Sequence, residues 1–201
     1  MRSLFALTVI LAATFAGFGQ PARTQAAQCT LTLAESPNVR GLKLGMGLES
    51  VLALFPGARD DEYVQNAISR SKYFPHFGVM SFGLDSRQFG TKEAFTGITL
   101  INFVFLDEKL VEYYVQYERP NWPKLDDFVE KVAGAFQLPA ADMWTTENAY
   151  RKNLVCEGFR VQATTRDGNG ALTLRTNAEP LAIQRERRAA AEAQARRDFK
   201  P

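Results

Sequence analysis

Residues 98–117 read ITLINFVFLDEKLVEYYVQY. Ile98 to Leu106 and Leu110 to Tyr117 are rich in β-branched and aromatic residues, and Asp107-Glu108-Lys109 between them has the length of a hairpin connection. Alternation puts Val111, Tyr113, Val115 and Tyr117 on one face of the second run and Glu112, Tyr114 and Gln116 on the other. A hairpin with one apolar face needs a covering layer, so the sequence on either side is read for helices carrying an apolar stripe.

Such helices stand on both sides. Upstream, Leu48, Val51, Leu52 and Phe55 recur at helical spacing and predict a helix over 47–55, stopped by Pro56-Gly57. Downstream, Leu125, Phe128, Val129, Val132 and Phe136 predict one over 123–136, with Pro123 suited to its start and Leu138-Pro139 near its end. A weaker helix is expected over 60–72, with Tyr63, Ala67 and Ile68 turned inward, and a strand over 77–84. Residues 85–97, with Gly90 and Gly97, read as loop. A last hairpin is expected from 154–164 and 171–176 across Arg166-Asp167-Gly168-Asn169-Gly170, a strong turn signal. Cys29-Thr30-Leu31-Thr32-Leu33 alternates with period two and reads as a short strand. The predicted fold is therefore α+β: an antiparallel sheet from two helix-then-hairpin units, with helices on one face. A diverged tandem repeat and two unrelated halves remain open alternatives.

The two ends have their own character. Met1-Arg2-Ser3 is basic, Leu4 through Phe18 is almost unbroken apolar sequence, and Thr24-Gln25-Ala26-Ala27 is small and polar. That order marks residues 1–27 as a secretory signal peptide, the apolar run being shorter than the ~20 residues that span a bilayer. The segment holds Arg2 and Arg23 and no acid, so its removal takes the formal charge from +2 to neutral and argues against a nucleic-acid partner. After cleavage no transmembrane segment is expected, and the mature chain is expected to be periplasmic or secreted. Residues 28–178 are the expected exported domain, and 179–201, charged and alanine-rich with no apolar stripe, a solvated helix or frayed tail. In an exported chain, two cysteines form a bridge more often than not. Cys29–Cys156 is the expected pair, two separate thiols being the alternative. No C-x-x-C pair is present, so a bridge reads as a staple.

Residues 44–57, LGMGLESVLALFPG, resemble the opening of the SmpA/OmlA (BamE-like) and β-lactamase-inhibitor-like exported α+β domains. Gly45, Met46, Val51 and Gly57 match that pattern, while Gly47 stands where it carries a Ser or Thr cap. The run Arg40-Gly41-Leu42-Lys43-Leu44-Gly45-Met46 is similar to exported bacterial proteins bearing Arg-Gly-x-x-Leu-Gly-Met, a resemblance that brings no activity with it. These are shape residues: glycine for tight entry and left-handed exit, Met46 to fill a gap beneath the helix.

Chemistry-bearing groups are few. His76, the only histidine, lies among Phe74, Pro75 and Phe77 with no nucleophile setting, so it reads as a loop residue. Asp60-Asp61-Glu62 and Asp126-Asp127 fit helix first turns better than a calcium loop. Asp167-Gly168-Asn169-Gly170 reads as turn geometry. No metal and no cofactor are implied. Two function classes follow. The first is a non-enzymatic domain that binds a protein, peptide or cell-envelope component through a sheet face, with Tyr114, Phe103 and Phe105 as candidate binding residues. The alternative is a small hydrolase or lyase using carboxylates such as Asp107, Glu112 or Glu118. Protein recovered from its native host should have the intact mass of a chain starting near Ala27 or Gln28; a mass retaining Met1 and Arg2 would reject the signal peptide.

Overall fold

The hairpin read from residues 98–117 lies within a seven-stranded antiparallel sheet. The computed structural model describes residues 28–73, 77–89, 93–118 and 120–200, so the expected signal peptide and His76 lie outside the described residues. In chain order the elements are α1 (Leu48–Leu52), α2 (Glu62–Tyr73), β1 (Val79–Asp85), β2 (Ile98–Leu106), β3 (Lys109–Tyr117), α3 (Leu125–Phe136), β4 (Thr145–Asn148), β5 (Arg151–Val155), β6 (Phe159–Arg166), β7 (Asn169–Thr176) and α4 (Pro180–Asp198). The strand order is β1-β2-β3-β7-β6-β5-β4. Two meanders therefore meet at the β3–β7 pair, where Glu112 through Gln116 face Arg175 through Ala171.

Alternating strand residues build one core. Met80, Phe82 and Leu84 of β1 join Ile101, Phe103 and Phe105 of β2, Tyr113 and Val115 of β3, Leu172 and Leu174 of β7, and Phe159 and Val161 of β6. Leu48, Val51 and Leu52 of α1, Val64 and Ile68 of α2, and Leu125, Phe128, Val129 and Val132 of α3 are buried in the same cluster. Phe55 stacks on Phe95 at 4.7 Å between ring centres and meets the edge of Phe103 at 5.8 Å, an offset arrangement that aromatic quadrupoles favour. A bulge between Val104 and Phe105 resets the alternation of β3, which is why adjacent Leu110 and Val111 are both buried.

Several expectations are corrected. The 47–55 helix is a single five-residue turn, tightened by the Leu54 N–H to Val51 and Phe55 N–H to Leu52 bonds that still aim Phe55 inward. Tyr63 is exposed: Ile68 is buried as expected, but α2 turns Val64 inward in place of Tyr63. The expected strand over 154–164 is broken at Cys156-Glu157-Gly158 into β5 and β6, and the exposed edge strand β4 precedes them. Cys29–Leu33 is no strand: Cys29 makes one isolated bridge to Cys156, and Thr32 with Glu35 forms a capping box on a 3-10 turn. The Cys29–Cys156 disulfide is present and joins residues 127 apart in sequence. Chain entropy assigns such a loop about 5 kcal/mol of stabilisation.

The β2–β3 connection is a two-residue turn. Leu106 pairs with Lys109, so Asp107 (φ 50°) and Glu108 (φ 61°) both adopt left-handed backbone without a glycine. This costs on the order of 1–2 kcal/mol per residue, and neighbouring elements hold it in place. Asp107 N–H donates to the Gly78 carbonyl at 2.8 Å, and Leu48 N–H donates to the Glu108 carbonyl at 3.0 Å. Arg187 of α4 grips the Asp107 carboxylate with two bonds of 2.7 and 2.8 Å and donates a third to the Phe77 carbonyl. A Cβ at Gly78, itself at φ 85°, would collide with both the Asp107 carboxylate and the Arg187 guanidinium. α4 buries no residue, and this grip, together with the 3.6 Å Arg160–Glu179 pair at its N-cap, is among the contacts that tie a solvated helix to the sheet. Among the described residues no helix is long and apolar enough to cross a membrane.

Two measurements test this architecture. Val51→Ala should cost about 1–3 kcal/mol in denaturant unfolding, and Val51→Asp should abolish the folded state. Arg187 holds the Asp107 carboxyl below its ordinary 3.8, so its share of stability is present above that value and lost as pH falls through the folded one. Amide exchange of residues 180–188, corrected for intrinsic rates, should stay flat down to about pH 5 and rise towards about pH 3. Arg187→Gln should produce the same release at neutral pH.

Candidate functional site

Antiparallel register carries a row of polar side chains across the face of the sheet opposite the core. Asn102 of β2 faces Tyr114 of β3, which faces Thr173 of β7. The row continues through Gln162 of β6 and Asn153 of β5 to Thr145 of β4. One step towards the Asp167-Gly168 turn lie Leu100, Gln116, Ala171, Thr164 and Arg151. One step the other way lie Val104, Glu112, Arg175, Arg160 and Val155. The chain supplies this face because β3 and β6 alternate a buried apolar residue with a half-buried polar one.

Part of the face is pre-organised by its own hydrogen bonds. Gln162 Nε2 donates to Asn153 Oδ1 at 2.9 Å, and Asn153 Nδ2 donates to Glu147 Oε2 at 2.9 Å. Arg151 completes the chain by donating to Glu147 Oε1 at 2.9 Å. These bonds hold the Glu147 carboxyl below its ordinary value, Asn153 contributing most and Arg151 next. Beside this network a concavity of about 690 Å³ is lined by Tyr114, Gln116, Tyr150, Arg151, Thr164 and Arg166, among others. Tyr114 is half-buried, which raises its phenol pKa, and its hydroxyl lies 3.5 Å from Gln116 Oε1, a long and weak contact. The first half of α4 leads from its N-cap Glu179, beside Arg160, to Arg187 at the Asp107 turn. The concavity sits at the opposite end of the strands, by the Asp167-Gly168 turn.

Phe103 and Phe105 are not part of this face. Phe103 pairs with Tyr113 rather than Tyr114, and both phenylalanines are fully buried in the ring cluster with Phe82. Alternation within one strand does not say which face of its partner it matches; register does. The outer neighbours of Tyr114 are Asn102 and Thr173. The partners that the sequence did not single out, Arg151, Asn153, Gln162 and Arg166, lie on the neighbouring strands β5 and β6, far from Tyr114 in the chain. Only the alternation of 159–166 carried any signal of them.

The candidate acids do not converge. Asp107 is engaged by Arg187, and Glu118 follows β3 at its other end, its N–H bonded to the Gly97 carbonyl. At about 3.4 Å per residue the two stand roughly 30 Å apart. Glu112 lies on the outer face; burial raises its pKa, the Arg175 charge opposes that, and Glu179 adds to it. Asp61 Oδ1 accepts from the Tyr63 and Val64 N–H groups and caps α2, while Asp126 sits in the first turn of α3, 2.6 Å from Lys152 Nζ. Among the described residues no group of three or more histidine, cysteine, aspartate or glutamate side chains is placed to hold a metal ion.

The glycine-methionine motif also has a defined place. Gly45 (φ 85°) and Gly57 (φ 88°) take left-handed backbone on either side of α1, whose Val51 is fully buried. Gly45 N–H donates to the Leu110 carbonyl and the Met46 carbonyl accepts from Leu110 N–H, both at 2.8 Å, so the motif docks on the start of β3. Met46 packs partly buried against the core, its sulfur 3.2 Å from Lys43 N–H. Comparison of the chain with protein-family models, with curated proteins and with solved structures returns no match.

Proposed function

We propose that the chain is an exported, non-enzymatic domain that holds a protein, peptide or cell-envelope component against the outer sheet face around Tyr114. The observation that carries this reading is the uncovered concavity at the Asp167-Gly168 end of that face, with Tyr114, Tyr150, Arg151 and Arg166 on its walls. Tyrosine and arginine are residues that concentrate energy at interfaces, tyrosine because it buries large area with few rotors and arginine because its planar fork makes directional, charge-assisted bonds. Export is supported by the basic–apolar–small order of residues 1–27 and by the Cys29–Cys156 disulfide, which persists in oxidising compartments.

The two-unit reading of the fold belongs to the same proposal. Strand order β1-β2-β3 and its mirror β7-β6-β5 meet at a central pair, each half preceded by a helix, with α2 against β1 and α3 against β5 and β6. A diverged repeat whose helices share one face leaves the opposite face continuous across both halves, which is the geometry a sheet-face binder needs.

The test compares capture from the envelope of the native host by the mature chain and by its Tyr114→Ala variant. The variant should melt at the wild-type temperature and retain at least about fivefold less partner, equivalent to ~1 kcal/mol or more. Phe103→Ala should instead lower the melting temperature. Unchanged capture by Tyr114→Ala, or its unfolding, would reject the reading.

A further inference from the structure

A second concavity lies on the opposite side of the sheet, where α3 meets the end of β3 and the segment 38–40. Its volume is about 390 Å³. The floor and walls are apolar and largely aromatic: Tyr117, Trp122, Phe128 and Phe136, with Val39 and Val132 beneath them. Phe128 meets Trp122 at 5.4 Å and Tyr117 at 6.0 Å between ring centres, so the wall is one packed aromatic surface fixed by α3. Val39, Phe128 and Val132 are buried, whereas Tyr117, Trp122 and Phe136 are half-buried and present ring area to the groove.

The charges around it are of one sign. Arg40 and Lys131 line the groove, and among the described residues no aspartate or glutamate does. Both cations are exposed, and neither has an ion-pair partner among the described residues, although nine such pairs occur elsewhere. Arg40 is held at φ 56°, a left-handed conformation that fixes where its side chain leaves the backbone. The Tyr117 phenol is pushed up to about 12 by burial, with the Arg40 charge acting against that and no hydrogen bond contributing. A neutral phenol that lacks a partner is a donor available to a ligand oxygen.

An apolar aromatic slot with two unpaired cations at its rim matches an amphipathic anion. At roughly 30 Å³ for each water-sized group, the volume admits about a dozen heavy atoms, which is the scale of a small molecule. We propose that this groove is a ligand site for a small monocarboxylate with an apolar body, the body lying on Trp122, Phe128 and Phe136 and the carboxylate held by Arg40 and Lys131. The site is separate from the outer face around Tyr114 and does not depend on the function proposed for that face.

Decanoate, a monocarboxylate of the right size, is the probe, and the indole of Trp122 is the reporter. The other tryptophan, Trp144, is buried elsewhere with its Nε1 bonded to the Pro139 carbonyl at 3.0 Å. Titrating the mature protein with decanoate should give a saturable change in tryptophan emission that Trp122→Phe removes and Tyr114→Ala leaves intact. Decan-1-ol, equally apolar but uncharged, should bind at least about tenfold more weakly, as should decanoate to the Arg40→Gln/Lys131→Gln double variant. Both substitutions are at exposed positions, and an unchanged melting temperature of the double variant confirms that it folds. Calorimetric titration repeats the comparison without the reporter. The proposal is overturned by the absence of saturable decanoate binding, by equal affinity for the alcohol, or by a double variant that folds and binds as wild type. It is also overturned if sedimentation shows a dimer that decanoate does not perturb and Trp122→Phe dissociates, which would assign the groove to a second copy of the chain.

Discussion

Five paired positions between β3 and β7 hold the two halves of the sheet together, and Tyr113 is the one among them that reaches beyond the sheet. It faces Leu174 across the seam, is fully buried, and points its hydroxyl at the carbonyls of Pro37 and Leu42, at 3.2 and 3.3 Å. Burial raises its pKa, so the phenol stays neutral and remains a donor across the physiological range. One side chain thus links the seam to the segment leading into the glycine-methionine motif, and that motif docks on the first residues of β3. Without this pairing, neither the core beneath the sheet nor the polar row above it would be continuous.

The elements that sequence reading located best are those whose periodicity is complete within one strand or helix. Residues 98–106 and 109–117 are dense in β-branched and aromatic residues, and 125–136 carries a full apolar stripe, so their limits fall within a residue or two of expectation. Where the deciding partner lies elsewhere in the chain, local pattern was insufficient. Cys29–Leu33 alternates but has no strand to pair with, and the Thr32–Glu35 capping box competes for its backbone. Residues 154–164 are β-prone on either side of Glu157-Gly158, and Gly158 is where the backbone of Thr32 and Leu33 crosses, leaving no space for a Cβ, so the strand breaks there.

The same distinction governs the site. Tyr114 was identifiable as an outer-face residue from its own strand, whereas its neighbours are set by register across six strands and by a bulge that no composition rule announces. Arg187 is one of several arginines in a polar helix, and nothing local distinguishes the one that grips Asp107. Its selection rests on Gly78, more than a hundred residues earlier, being small enough to admit it.

The position of the disulfide gives the molecule an uneven mechanical character. Cys29 lies at the start of the described chain and Cys156 at the end of β5, so the covalent ring encloses α1, α2, α3 and the first five strands. A pulling force applied at the two ends of the folded region passes through the sulfur bridge and bypasses that ring. The load falls on β6, β7 and α4 alone, and complete extension of that segment yields about 150 Å. Reduction of one bond would bring the enclosed residues into the load path, so the chain's extensibility under tension is set by the redox state of its surroundings.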